Sequence, residues 1–254
     1  MYNPRGIISL FLKETWRFLK VSIQTILAPV VTSLLYLLVF ASVMKEHPAI
    51  YSGIEYTEFL IPGLIMMAIL QNAFANSSSS LFQSKQNGSI TFILLAPLSS
   101  YEFFLAYVGS SIVRGLCVGI GVWMVSCFFA LLPVNNIFVI FWFAFIGSGV
   151  LGALGLIASI WAMKWDHVAA FQNFVILPLS FLSGVFFSIK SLSPFWTKVS
   201  FFNPFFYLID GFRFGFLGVS ETFLLLSFVI SALFFLLVSC FCIIMLETGY
   251  NLRT

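Results

Sequence analysis

The sequence predicts an all-α integral membrane protein. It has six transmembrane helices, an N-terminal amphipathic helix in the interface ahead of them, and a re-entrant helical segment before the last span. Three observations carry that reading. Of 254 residues, 61% are hydrophobic and 8% charged, against roughly 25% charged in a soluble domain, so the chain cannot cover a water-facing surface. Apolar runs of bilayer-crossing length, about 20 residues, recur along it. Short polar or Pro- and Gly-marked stretches separate those runs, as turn chemistry requires.

In segment 4–20, Ile8, Leu12, Trp16 and Leu19 fall on one helical face and Lys13, Glu14, Arg17 and Lys20 on the other. Such a helix lies in the interface, its basic face (Lys13, Arg17, Lys20) toward anionic headgroups. Spans are read at 21–44, 59–82, 103–132, 137–163, 169–189 and 222–246. The first carries no charge. The second begins near Pro62 and turns polar at its far end, with Gln71, Asn72, Asn76 and Ser77–Ser80. Polar residues in a span face the bundle or a wet cavity. The third span holds Arg114, roughly 18 Å from its start at 1.5 Å per residue. A centred Arg costs at least ~2.5 kcal/mol, so Arg114 faces a polar partner or a wet cavity. With Gln71 and Asn72 it either lines a translocation path or holds helices together. Gly115 and Gly119, then Gly147, Gly149, Gly152 and Gly155 in the fourth span, allow close backbone approach. Pro178 interrupts the fifth span. Segment 190–218 is broken by Pro194, Pro204, Gly211, Gly215 and Gly218, yet too apolar for a solvated loop. A re-entrant or interfacial helix pair with a protein-buried backbone satisfies both facts. Its polar residues include Asn203, Asp210 and Arg213.

Segment 84–100, between spans two and three, joins an Asn87-Gly88 turn, the apolar run Ile90–Leu95 and a stop at Pro97. Six apolar residues cannot span a membrane; they can lie at the interface or fit a partner's groove. Gly88, Phe92, Leu94, Leu95 and Pro97 are the candidates for that contact, and an ordinary interfacial loop is the alternative. Arg5, Lys13, Arg17 and Lys20 precede the first span, whereas the first loop sets Lys45 against Glu46, Glu55 and Glu58. The positive-inside rule therefore puts both termini and segment 84–100 in the cytoplasm.

No phosphate-cradling G-x-x-x-x-G-K-[ST] motif is present, so no nucleotide site and no catalytic residue is read in the chain. His47 and His167 fall in loops on opposite sides, and Cys117, Cys127, Cys240 and Cys242 lie in apolar runs, so free thiols and no metal are expected. Ser148 between two glycines suggests an intramembrane protease, but no span offers a histidine base. A net charge of +3 is too small to argue for nucleic acid. The first twenty residues are too charged for a cleavable signal peptide.

The order of these elements resembles the ABC-2 type permeases. Gly88-Ser89-Ile90-Thr91-Phe92-Ile93-Leu94-Leu95-Ala96-Pro97-Leu98-Ser99 is similar to the family's stretch after span two, although Gln86 and Thr91 stand where members often carry acids. Asn203-Pro204 through Tyr207, Asp210 and Arg213 is similar to its Asn-Pro…Tyr…Asp/Glu…Arg run, and Gly109 to Arg114-Gly115 is a third match. The resemblance covers essentially the whole chain and points to the single-domain bacterial group of YadH-like and polysaccharide exporters. It implies a homodimer in the bacterial inner membrane, exporting substrate along the dimer interface. A separate ATP-binding subunit, holding ATP and Mg, would dock on the 84–100 helix and the N-terminal helix. This chain itself would hold no cofactor and perform no bond chemistry. Substrate candidates are a lipid or lipid-linked glycan, a polysaccharide or a hydrophobic drug. A membrane anchor for a partner complex and a channel not driven by ATP are the other readings.

Overall fold

The computed structural model describes residues 3–43 and 54–252. Lys45, Glu46, His47 and Ser52 of the first loop lie outside them. The interfacial helix α1 (Pro4–Leu19) starts on an Asn3 cap, whose side chain accepts from Gly6 N at 3.0 Å, with Pro4 in its first turn. After a π-helical turn (Ile23–Leu27) follow α2 (Ala28–Val43), α3 (Tyr56–Gln86), α4 (Ile90–Leu95), α5 (Ser100–Ser126) and α6 (Ile137–Trp161). The chain continues through α7 (Trp165–Phe171), a π-helical turn (Gln172–Ile176), α8 (Leu177–Phe181), a 3-10 turn (Ile189–Ser191), α9 (Pro194–Phe202), α10 (Pro204–Leu217) and α11 (Leu224–Thr248). Among the described residues, five helical stretches are long and apolar enough to cross a membrane: Ile23–Phe40, α3, α5, α6 and α11.

The predicted fifth span, 169–189, is the main departure. Helical structure runs from Trp165 only to Phe181, including the π turn, and ends at Leu182. Pro178 lacks an N–H, and its ring would clash with the carbonyl four residues earlier. The wide π turn just before it absorbs that mismatch. Beyond it, Gly184 takes φ +73°, a conformation that suits glycine and turns the chain out of the helix.

Other boundaries move for identifiable reasons. α3 does not begin near Pro62 or stop at Phe82. It starts at Tyr56, where the Glu58 carboxylate accepts from Glu55 N at 3.2 Å, and Pro62 lies inside it. It then runs through the polar stretch to Gln86, because those side chains find partners. Ser77 Oγ donates to Gly152 O at 2.6 Å. Lys85 Nζ donates to the Ser159, Ile160 and Ala162 carbonyls at 3.1, 2.9 and 2.9 Å, satisfying carbonyls at the C-terminal end of α6. The third span starts earlier, on a Ser99–Glu102 capping box, and stops at Ser126 rather than 132.

α3 is the centre of the bundle, buried from Phe59 to Leu70 and packed mainly on α6 and α5. Gly155 lets α6 approach it: a Cβ there would sit 2.6 Å from Phe74 O. Segment 190–218 forms the helix pair α9 and α10, broken at Asn203, and α10 is buried along most of its length against α6, α3 and α11.

Candidate functional site

The two faces of α1 meet different surroundings. Ile8, Leu12, Trp16 and Leu19 are exposed, as a lipid-facing row would be, but the opposite face turns into the protein. Glu14 is fully buried; it accepts from Lys13 Nζ at 2.6 Å and Arg17 Nε at 3.3 Å, and its partner on α3 is the Ser80 hydroxyl. Arg17 Nη2 donates to Asn76 O at 2.8 Å and Asn76 Oδ1 at 3.0 Å. Asn76 Nδ2 in turn donates to Ser110 Oγ of α5 at 2.9 Å. Arg17 therefore does not point to headgroups, because the polar end of α3 offers it acceptors. Lys20 remains exposed.

Above this network a cavity of about 490 Å³ opens between α2, α3 and α5, lined by Arg17, Gln24, Thr32, Tyr36, Gln71, Asn72 and Arg114 among others. Arg114 Nη2 donates to Asn72 Oδ1 at 3.3 Å, and Asn72 Nδ2 is held by Ala68 O at 3.0 Å. Arg114 Nε and Gln71 Nε2 are buried and have no hydrogen-bond partner among the described residues. The structure thus brings together Arg114, Gln71 and Asn72, which the sequence singled out, and adds Arg17. Ser148 is fully buried and donates to Ala144 O at 2.6 Å, an ordinary helix back-bond.

α4 presents a second surface. Ile90 is buried, and Ile93 packs against the core beneath it. Phe92 and Leu95 are 78% and 76% exposed and Leu94 42%, so three apolar side chains stand on the outer face of a six-residue helix. Gly88, at φ +68°, makes the turn into it. Pro97 O accepts from Asn3 Nδ2 at 3.3 Å. Glu102, missed from sequence, accepts from Asn3 N at 2.5 Å and from Ser99 N at 2.7 Å, so one carboxylate ties the start of α1 to the α4–α5 junction. The Ser99-x-x-Glu102 box before an apolar run was the available signal.

The Asn203–Arg213 cluster is a set of staples. Asn203 Oδ1 caps α10, accepting from Phe205 N at 3.0 Å, and its Nδ2 donates to Leu179 O at 2.6 Å; Pro204 occupies the first turn. Asp210, fully buried, accepts from Glu221 N at 2.9 Å and Thr222 Oγ1 at 2.9 Å. Arg213 donates to Phe59 O at 3.3 Å and Gly184 O at 2.7 Å, with its guanidinium 3.8 Å from the Phe59 ring centroid. Glu221 accepts from Ile189 N at 3.0 Å. Burial pushes the Glu221 carboxyl up from its ordinary value, Arg213 pulls it down and Asp210 adds to the rise.

The ABC-2 type transporter family signature matches residues 5–217. The chain belongs to the ABC-2 type transporter family. The Inner membrane transport permease YadH of Escherichia coli (strain K12) is 36% identical over 247 residues, 97% of this chain and 96% of that protein. Nodulation protein J of Rhizobium leguminosarum bv. viciae is 23% identical over 207 residues, 78% of this chain and 77% of its own. Nodulation protein J of Neorhizobium galegae is 20% identical over 200 residues, 78% and 76% of the two chains. The protein is therefore an ABC-2 type transport permease, a membrane transporter subunit with several helices able to cross a bilayer.

Proposed function

We propose that this ABC-2 permease is the transmembrane half of an ATP-driven exporter in the bacterial inner membrane, acting as a homodimer with a separate ATPase subunit docked on α4 and the start of α1. The observation that carries the reading is the outer face of α4. Phe92, Leu94 and Leu95 stand exposed on a short helix whose other side is anchored by Ile90, the arrangement a helix-in-groove contact uses. The Glu102 carboxylate binds α1 and the α4–α5 junction together, so force on α4 reaches both elements at once. ATP and Mg belong to the ATPase. Its closure on ATP shifts the permease between two arrangements through differential affinity, the only way a ligand moves such an equilibrium.

The six-span reading counts the helical run 165–181 as a crossing; seventeen residues reach about 26 Å at 1.5 Å per residue, close to a hydrocarbon core of ~30 Å. α9 and α10 then form a re-entrant pair on the outer side, and both termini are cytoplasmic. The Ile23–Phe40 span, with 17% of its residues buried, leaves a face for the second copy. Substrate passes between the copies, along the wall that carries Arg114, Gln71 and Asn72.

Purification of the chain alone should give no ATP hydrolysis. Co-purification with the ATPase subunit should give hydrolysis and two copies of each chain by native mass spectrometry. Vigorous hydrolysis by the homogeneous chain alone would end the assignment. Orientation is checked separately by cysteine labelling in a background lacking the four native cysteines. A probe confined to the outside should modify Lys198→Cys and spare Gln86→Cys. The reverse pattern would place α4 on the wrong side for a cytoplasmic ATPase.

A further inference from the structure

The cavity between α2, α3 and α5 is lined by two guanidinium groups, Arg17 and Arg114, and by no acidic side chain among the described residues. The two differ in how they are compensated. Arg17 is paired with Glu14, and the ion pairs found among the described residues, Lys13–Glu14 and Arg17–Glu14, both use that carboxylate. Arg114 is 9% exposed; among the described residues its one hydrogen bond is to the neutral Asn72 amide, and Nε has no partner. Gln71 Nε2 on the same wall is a second buried donor without an acceptor. A buried cation beside unused donors lacks an anion, because burying charge is costly unless it is paired and hydrogen-bonded. Arg presents its N–H groups in a planar fork that fits phosphate bidentately.

The rest of the cavity fixes what the anion is attached to. Besides the arginines and amides, its lining mixes apolar Val21, Tyr36, Leu64 and Met67 with the hydroxyls of Thr32 and Ser33. α2, which forms one wall, also exposes Val31, Leu35, Leu38 and Val39 to its surroundings. About 490 Å³ exceeds what a phosphate alone requires and lies within the roughly 300–1,000 Å³ of small-molecule sites.

We propose that this cavity receives the phosphate group of an amphiphile, held by the Arg114 fork and the Gln71 amide with Arg17 at its rim, the lipid portion running along α2. This deepens, and rests on, the reading of the chain as an export permease, since it gives the substrate class. The shared chemistry could also come from free phosphate, and the test separates the two.

Binding is measured on the full-length chain in phosphatidylcholine nanodiscs without ATPase, so loss of the ATPase partnership leaves the assay untouched. The probes are lysophosphatidate, the matched monoacylglycerol and inorganic phosphate. Lysophosphatidate should bind about tenfold or more tighter than monoacylglycerol, the worth of one charge-assisted hydrogen bond. Arg114→Gln should erase that preference, while Arg114→Lys should keep part of it. Equal binding of the two lipids by the wild-type chain overturns the proposal by itself, even where the glutamine variant fails to fold. Undiminished discrimination by a folded Arg114→Gln, verified by circular dichroism and melting, overturns it as well. Displacement of lysophosphatidate by an equal concentration of inorganic phosphate would overturn the amphiphile and leave a free-anion site.

Discussion

Arg213→Ala is expected to abolish accumulation of folded protein in the membrane. Arg213 is buried to 1% exposure and ties its helix α10 to two other places: the Phe59 carbonyl and ring in α3, and the Gly184 carbonyl after α8. Truncation leaves two buried carbonyls without this donor, and it removes a cation that favours the charged form of Glu221. Removing one partner from a buried charged network typically costs about 3–5 kcal/mol. That is comparable to a large part of a domain's stability of about 5–15 kcal/mol. Arg213→Lys should lie between, because an ammonium keeps the charge and loses the fork that reaches two carbonyls. Membrane yield and thermal melting in detergent, followed by size-exclusion chromatography, measure this. An alanine variant with wild-type yield and melting would show that the cluster is not a structural staple. Arg114 is the instructive contrast. It is the same residue type and also buried, yet among the described residues only the Asn72 amide holds it, so substitution there should cost the fold less than at Arg213.

Much of this architecture was legible because lipid leaves few alternatives for an apolar run. The bounds of α4 followed from Gly88 on one side and Pro97 on the other, since one favours a left-handed turn and the other cannot continue a helix. The break between α9 and α10 followed from Asn203-Pro204 in the same way. The need for a polar neighbour at Arg114 followed from insertion cost, and Asn72 is that neighbour. What the sequence hid is what depends on distant partners. Ser77–Lys85 reads as the end of a span until Gly152, Glu14 and the carbonyls ending α6 are placed against it. The direction faced by the polar side of α1 was hidden for the same reason: amphipathicity gives two faces, and only the acceptors on α3 decide which one is buried. The early end of the helix through Pro178 was also out of reach, since a proline in a membrane helix is tolerated or terminating according to what surrounds it.

With an ATPase subunit docked on α4 as proposed, Phe92→Asp combined with Leu95→Asp is expected to release it and leave the permease intact. The two side chains are the most exposed of α4, at 78% and 76%, so a carboxylate at either position meets water while the chain is alone and costs the fold little. Docked in an apolar groove, the same carboxylate would be buried without a partner. Hot-spot truncations commonly cost about 2 kcal/mol or more each, roughly thirtyfold in affinity. Co-purification of the ATPase with the double variant should therefore fall below detection, at unchanged membrane yield and melting temperature. Ile90→Asp supplies the opposite arm: Ile90 is 5% exposed beneath the helix, so its substitution should lower melting of the permease itself. Ile93 packs on the same inner side and should behave as Ile90 does. If the outer-face pair retained full ATPase association while Ile90→Asp destabilised the chain, α4 would be an ordinary interfacial turn held by its inner face. The partner would then have to be sought elsewhere, first at the α1 terminus that Glu102 joins to it.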